Sequence, residues 1–566
     1  MRALFSYLRH KITGLPARHR TRRVALIALP HILALAVMVA TESSMTAMAA
    51  FLLTWGIFNF VAIALTRRPL FAGLISLVLM TLLVLLSQLK YNVLMMTANF
   101  VDLMIVDTDT VSFLFTIFPS LKTAVTLAAA ALVPLLICAW RFEAFRTRRS
   151  VAVFSAIGCL GGLIALETHS PMQPFEAFYG GNLVSSFARS GVDAIAELAT
   201  HGLMRSDAVA AQRLQPFTDK CRPAAQPPHI ILIHDESSFD IRMAPGIKVP
   251  AGYGAHFRSL DGKERNFLVE GNGGPSWFTE YNVLEGLSAR TFGRFSYFVT
   301  RIAAGRVERG LPAALRRCGY RTFSLYPALG AFMSAKSFQT TAGVQHFFDR
   351  HDLGARDIEP DSFFFGAATK MIAHEHARSP MFVFVYLAAN HFPWDSRYRP
   401  DLMPAWKDLG NVPPVDEYLR RQALSAHNYS DFVARLEREF PGESFLLVRF
   451  GDHQPDFAAH VLDPGLDDEA IERRLMAWDH RYFTTYYAID AIHFKPADLS
   501  SALDTLEGPY LPLVVQEAAG LPLDPSFAAQ KKILLRCNGL FYGCDSGAEA
   551  RRFNRMLIDA GLIKNL

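Results

Sequence analysis

The chain has 566 residues, too many for one ordinary domain and enough for two to four. Hydrophobic residues make up 51% and mean hydropathy is positive, which sets the chain apart from ordinary soluble proteins and argues for membrane segments. The net charge of +5 is small for this length and unevenly placed, so nothing in it points to a nucleic-acid partner.

The first 23 residues hold Arg2, Arg9, Lys11, Arg18, Arg20, Arg22 and Arg23 and no acid. Directly before an apolar run, such an arm fixes membrane orientation, and residues 1–23 read as cytoplasmic. Apolar runs come next at 24–40, 45–66, 69–89, 123–140 and 151–166, each near the ~20 residues that span a bilayer. The first is too long-flanked, and too soon succeeded by others, to be a cleaved signal peptide. Five spans over residues 24–168 put the arm, Arg67–Arg68 and the cluster Arg141, Arg146, Arg148 and Arg149 all on the cytoplasmic side. An odd number leaves the rest of the chain outside. The stretch 91–118 is apolar but interrupted by Asp102, Asp107 and Asp109, and reads as an interfacial or re-entrant helix. Residues 169–227 form a connector, and Pro227–Pro228 opens a new domain over 228–566.

From His229 the pattern becomes short apolar runs separated by helix-length segments. Strands are expected at 229–233, 322–326, 381–387, 444–450 and 487–494, with helical stretches such as 415–438 between them. That alternation predicts an α/β domain with a mostly parallel central sheet. Of the six cysteines, Cys138 and Cys159 lie in apolar runs and read as inert packing residues. Cys221, Cys318, Cys537 and Cys544 suit two disulfides in an oxidising compartment. Cys537 and Cys544 close the short loop CNGLFYGC, with Cys221–Cys318 the other guessed pair; four free thiols are the alternative in a cytosolic setting.

The residues just beyond the strands carry the chemistry. HIILI runs into His234-Asp235-Glu236-Ser237, MFVFVYL into Ala388-Ala389-Asn390-His391, and SFLLVRF into Gly451-Asp452-His453-Gln454. In an open parallel sheet the C-terminal strand ends share one rim, where ligands bind. Glu236, His391, Asp452 and His453 would meet there. The glycine-rich stretch GNGGPSWFTEYNVLEG (271–286) brings Ser276 one connection after the first strand. Alone it also reads as a surface turn; beside those ligands it presents a hydroxyl nucleophile with backbone N–H groups around it. Thr279 and Glu280 read as support for the helix start. Two carboxylates, an imidazole and a hydroxyl suit one divalent ion, Mn²⁺ first, with Mg²⁺ or Zn²⁺ behind it. Such an ion lowers the pKa of the Ser276 hydroxyl and offsets charge on an attacked phosphoryl group.

The membrane half, strand–DES, GGPSWFTEY, ANHFPWD and FGDHQP together resemble lipoteichoic acid synthases and related bacterial phosphoglycerol transferases, of the alkaline phosphatase/sulfatase superfamily. The resemblance covers essentially the whole chain, with the motifs in family order. It implies Ser276 as nucleophile where Thr is usual, a covalent phospho-enzyme, and Glu236, Ser276, Asp452 and His453 as metal ligands. It implies that His391 lies near the transferred group, to protonate a leaving oxygen or bind phosphate. Lys336 falls near the position of a basic head-group residue that is usually Arg, and Phe332 is the nearest counterpart of an aromatic packed on glycerol. The sulfatase motif C/S-x-P-x-R has no match: Cys221-Arg222-Pro223-Ala224-Ala225 lacks the final Arg and precedes the first strand. The expected activity is transfer of a phospho-alcohol head group, sn-glycerol phosphate first, from a membrane phospholipid to a periplasmic or surface glycan. The expected setting is the bacterial inner membrane, multi-pass, with the catalytic domain on the periplasmic side. The rivals are phosphoethanolamine transfer to lipid A or a glycan, and a non-catalytic scaffold that binds glycan or lipid.

Overall fold

The computed structural model describes residues 17–94, 96–105, 115, 118–143, 145–172, 181–209, 213–214, 221 and 226–566. Arg2, Arg9, Lys11, Asp107, Asp109, positions 222–225 and most of the remaining connector thus lie outside the described residues. The chain divides into two compact units, Met1–Thr200 and His201–Leu566.

The first unit is helical: α1 (Ala17–Thr41), α2 (Met45–Thr66), α3 (Pro69–Leu94), α4 (Phe100–Ile105), α5 (Pro119–Phe142), α6 (Arg149–His169) and α7 (Leu183–His201). Five of these, α1, α2, α3, α5 and α6, contain stretches long and apolar enough to cross a membrane. Their outward residues include Leu35, Val39, Leu65 and Phe154, all exposed, as lipid-facing side chains are. Local signals set the ends. The Ser44 hydroxyl accepts from Ala47 N at 3.1 Å to cap α2, Arg67 ends it in the left-handed region at φ 63°, and Pro69 opens α3. Within 91–118 the described residues include the end of α3 and α4, which is six residues or about 9 Å long. Its Asp102 is paired with Lys90 at 2.8 Å, which accounts for an acid in so apolar a stretch. Helix α7 starts on the Glu42 carboxylate, which accepts from Val184 N at 3.0 Å and from the Ser185 hydroxyl at 2.5 Å.

The second unit is built on an eight-stranded sheet in the order β4-β3-β5-β1-β6-β7-β2-β8. The strands are β1 (His229–Asp235), β2 (Arg265–Leu268), β3 (Arg321–Leu325), β4 (His346–Phe348), β5 (Met381–Tyr386), β6 (Phe445–Gly451), β7 (Thr484–Ile492) and β8 (Thr505–Glu507). All run parallel except β7, which is antiparallel to both β6 and β2. The five expected strands correspond to β1, β3, β5, β6 and β7. β2, β4 and β8 have only three or four residues, too few to show a period in the sequence.

Strand β1 is buried along its whole length because both faces of the sheet are covered. On one face Ile231 and Ile233 pack with Val383, Val385 and Leu447 under α10 (Asp361–Glu375) and α11 (Pro413–Glu439). The two-residue side-chain period then sends His234 to the opposite face, among Phe384, Tyr386 and Phe450. Two disulfides close the unit, Cys221–Cys318 and Cys537–Cys544, while Cys138 and Cys159 are free. The first spans 97 positions, a loop whose closure is worth about 4–5 kcal/mol on chain-entropy grounds.

Candidate active site

Strand β1 lies between β5 and β6, so the chain leaves the sheet centre at its parallel C-terminal rim. Beyond β1 comes Glu236, and beyond β6 come Asp452 and His453, all buried. Ser237 locks the two ends together. Its N–H donates to Asp452 Oδ1 at 2.7 Å and its hydroxyl to Glu236 Oε1 at 2.9 Å. These bonds hold Ser237 at φ 49°, a left-handed conformation that a serine rarely adopts unaided.

The third side of the site is the 271–286 stretch. Gly273 turns the chain at φ 67°, in the left-handed region that favours glycine. Gly273 N donates to Gln454 O at 3.1 Å, and Asn272 Nδ2 to Tyr482 O at 2.7 Å, so the turn is bolted to the loop after β6. Gln454 in turn donates to Arg481 O and Thr484 O, both at 2.7 Å. The turn delivers Ser276 as the first residue of α8 (Ser276–Glu285), where the helix dipole favours a negative group. α8 has no side-chain cap. Thr279 instead donates to the Asp452 carbonyl at 2.6 Å, and Glu280 accepts from Gln339 at 2.9 Å, so both anchor the helix laterally and neither supports its start.

The resulting cluster is tight. Ser276 Oγ stands 3.3 Å from Glu236 Oε2 and 3.1 Å from His453 Nε2. His453 Nε2 is 3.3 Å from Glu236 Oε1 and 3.4 Å from Asp452 Oδ2. Neighbouring ligands around one ion with bonds of about 2.0–2.2 Å stand about 3.3 Å apart, so the four side chains fit a single divalent ion. Asp452 Oδ2 is buried without a well-aligned hydrogen-bond partner, whereas Oδ1 takes the N–H groups of Ser237 and His453. His453 Nδ1 donates to Gln454 O at 2.8 Å, leaving Nε2 on the cluster side. Burial pushes the His453 pKa down, but the Asp452 and Glu236 carboxylates outweigh it and raise it to about 9. Asp452 is held below the usual carboxylate range: burial opposes this, and the His453 and His234 imidazoles outweigh it. His234, Glu236 and Asp452 also form a buried group able to hold a metal ion, with ligand atoms within 4.8 Å of one another.

The other three expected residues lie on separate elements. His391 is half-buried in the loop after β5; its Nδ1 bonds to Phe392 O at 2.9 Å, and Arg421 holds its carbonyl at 2.6 Å. Its neighbour Asn390 is the residue of that loop that touches the DES segment, donating to Ser237 O at 3.2 Å. Phe332 sits edge-on to Trp277, the residue after Ser276, with ring centres 5.9 Å apart. Lys336, on α9 (Ala335–Ala342), is exposed and lies over Gly330. Gln454, Asn390 and Thr279 bind chiefly through backbone atoms, which leave no mark in a motif. His234 stands first among the residues after the expected strand at 229–233, and the structure places it inside β1.

Glu280 supplies a pH test of the packing around α8. Burial raises its pKa to about 8 against a hydrogen bond from Gln339 that lowers it. A raised carboxyl favours the folded state fully below its unfolded pKa of 4.5, and that advantage is lost as pH rises toward about 8. We expect Glu280→Gln, which stays neutral, to gain on the wild type across this interval, by up to about 5 kcal/mol, and then level off. Thermal unfolding of both proteins from pH 5 to 9 checks this; parallel curves would show that Glu280 is ionised in the folded state.

Residues 279–481 match the Sulfatase family model. No curated protein matches the chain. Among solved structures, a phosphoglycerol transferase, GacH, from Streptococcus pyogenes is 14% identical, with a TM-score of 0.45, over 60% of this chain and 91% of that one. The lipoteichoic acid synthase LtaP from Listeria monocytogenes is 14% identical, with a TM-score of 0.40, over 55% and 76%. The lipooligosaccharide phosphoethanolamine transferase EptA from Neisseria meningitidis is 11% identical, with a TM-score of 0.40, over 85% and 96%. The match to the Sulfatase model runs from within α8 to just before β7, on the mostly parallel sheet of the second unit.

Proposed function

We propose that the chain is a metal-dependent phosphotransferase that moves a phospho-alcohol head group from a membrane phospholipid to a glycan or glycolipid, through a phospho-Ser276 intermediate. The observation that carries this reading is a hydroxyl at a helix N-terminus within 3.3 Å of both an imidazole nitrogen and a carboxylate oxygen. Ser276 Oγ attacks the lipid phosphorus as its proton passes toward Glu236; the phosphorus–oxygen bond to diacylglycerol breaks, and the leaving oxygen takes up a proton. An acceptor hydroxyl then attacks the phosphorus of phospho-Ser276 and gives up its proton as the phosphorus–oxygen bond to Ser276 breaks, and the serine oxygen takes back the proton held by Glu236. Glu236, Ser276, Asp452 and His453 would hold one divalent ion, Mn²⁺ first and Mg²⁺ or Zn²⁺ behind it. When bound, that ion activates the hydroxyl and stabilises negative charge on the phosphoryl oxygens. His391 is assigned to the leaving oxygen or to phosphate, and Phe332 and Lys336 to the head group.

The head group favoured is sn-glycerol phosphate, with phosphoethanolamine the rival. Five apolar helices and two disulfides in the second unit support a bacterial inner-membrane protein with its catalytic domain in the periplasm. The test is to incubate the purified protein and Mn²⁺ with head-group-labelled phospholipids and analyse the peptide that holds Ser276 by mass spectrometry. A glycerol phosphate adduct on Ser276 is the expected result. A phosphoethanolamine adduct would replace the donor, and turnover with label at another residue would overturn the nucleophile.

A further inference from the structure

We propose that His234 is a fifth protein ligand of the metal centre and shifts its preference from Mn²⁺ toward Zn²⁺. The inference rests on the metal reading of the site. It starts from an anomaly of burial: His234 is fully buried, and neither ring nitrogen has a well-aligned hydrogen-bond partner among the described residues. A buried imidazole in that condition is costly unless something else meets it. Its Nε2 lies 3.0 Å from Asp452 Oδ2, which lacks an aligned partner too. Two polar atoms in contact but poorly aimed for a hydrogen bond have the relation of adjacent ligands directed at a common point. The Glu236 carboxylate belongs to the same group.

The ring cannot easily turn away. It is stacked on Tyr386 with centres 3.7 Å apart and planes at 20°, and Phe384 and Phe450 meet it edge-on at 6.1 and 5.1 Å. Strand β1 fixes its Cα in register with Tyr386 on one side and Phe450 on the other. The donor set thus becomes two imidazoles, two carboxylates and the Ser276 hydroxyl. Imidazole suits Zn²⁺, whereas Mg²⁺ and Mn²⁺ favour sets made of oxygen, so the second nitrogen moves the selection toward zinc.

The test compares the full-length protein with His234→Phe, which keeps the stack on Tyr386 and removes both nitrogens, and with His234→Gln. Each is titrated with Zn²⁺, Mn²⁺ and Co²⁺ against a chelator, and the visible spectrum of the Co²⁺ form is recorded. We expect His234→Phe to lose at least about 10-fold in Zn²⁺ affinity, to lose less for Mn²⁺, and to shift the Co²⁺ bands, on the scale seen when partners of a metal site are removed. Unchanged Zn²⁺ affinity would overturn the assignment. Weakened affinity with an unchanged Co²⁺ spectrum would also overturn it, leaving His234 as a support for Asp452. A wild-type protein that binds none of the three ions would end the metal reading itself. Melting of the metal-free variants at the wild-type temperature excludes a folding defect as the cause, and His234→Gln gives a second variant should the phenylalanine disturb the strand.

Discussion

Alanine at position 276 should abolish head-group transfer, by at least about 10⁴-fold, while the protein still folds. The case for folding is local. Ser276 opens α8, where alanine is an acceptable residue, and the packing that holds the helix comes from Thr279, Glu280 and Tyr281 further along. The case for lost activity is that Ser276 is the proposed nucleophile, whereas the neighbouring Thr279 spends its hydroxyl on the Asp452 carbonyl at 2.6 Å. Diacylglycerol release from labelled phospholipid, read beside a thermal melt, checks both halves. Continued release at the wild-type rate would mean that water or another group attacks phosphorus.

The second large effect is expected at a residue with no side chain. Gly451 ends β6, paired in register with Asp235, and an added Cβ would overlap the Ser238 carbonyl oxygen. Its backbone dihedral is not the obstacle; the obstacle is that the segment just after β1 passes too close for a methyl group. Ser238 has little room to yield, because its hydroxyl accepts from Gln422 at 2.9 Å and the adjacent Ser237 carbonyl accepts from Asn390 at 3.2 Å. Gly451→Ala must therefore push the end of β6 away from Ser238, and with it Asp452, the next residue. We expect a loss of at least about 3 kcal/mol and no stoichiometric metal binding. Chemical denaturation and metal analysis of the purified variant measure the two effects; a stable variant with a full complement of metal would show that the contact relaxes freely.

Those two positions also show what a sequence exposes and what it hides. The runs before Glu236 and Asp452 are long and apolar enough to announce buried strands, and polar residues after such strands point to a rim. The first-unit helices are equally plain, since only length and hydropathy are needed to find them. Direction within the sheet is another matter. β7 is largely buried like β6, and only its pairing shows that it runs the other way. The short strands β2, β4 and β8 lie below the length at which alternation can be seen. Within the site, Glu236, Ser276, Asp452 and His453 stand out as chemistry-bearing types at strand and helix ends. His234 does not, because facing direction depends on a strict two-residue phase set by the core packing of Ile231 and Ile233. The position of His391 also depends on the path of its loop, where Arg421 holds the His391 carbonyl.

The Cys221–Cys318 bond has a consequence for how the site is held together. It ties the chain into a ring that contains β1, Glu236 and Ser276, while Asp452 and His453 lie outside it. Half of the cluster thus sits on a covalently closed circuit, and half is threaded in from later sequence. A protease that nicks an exposed part of the ring, such as the loop at Leu260–Lys263, leaves no free end able to diffuse away. Both pieces stay joined until a reductant opens the bond, so damage of this kind remains hidden on a non-reducing gel.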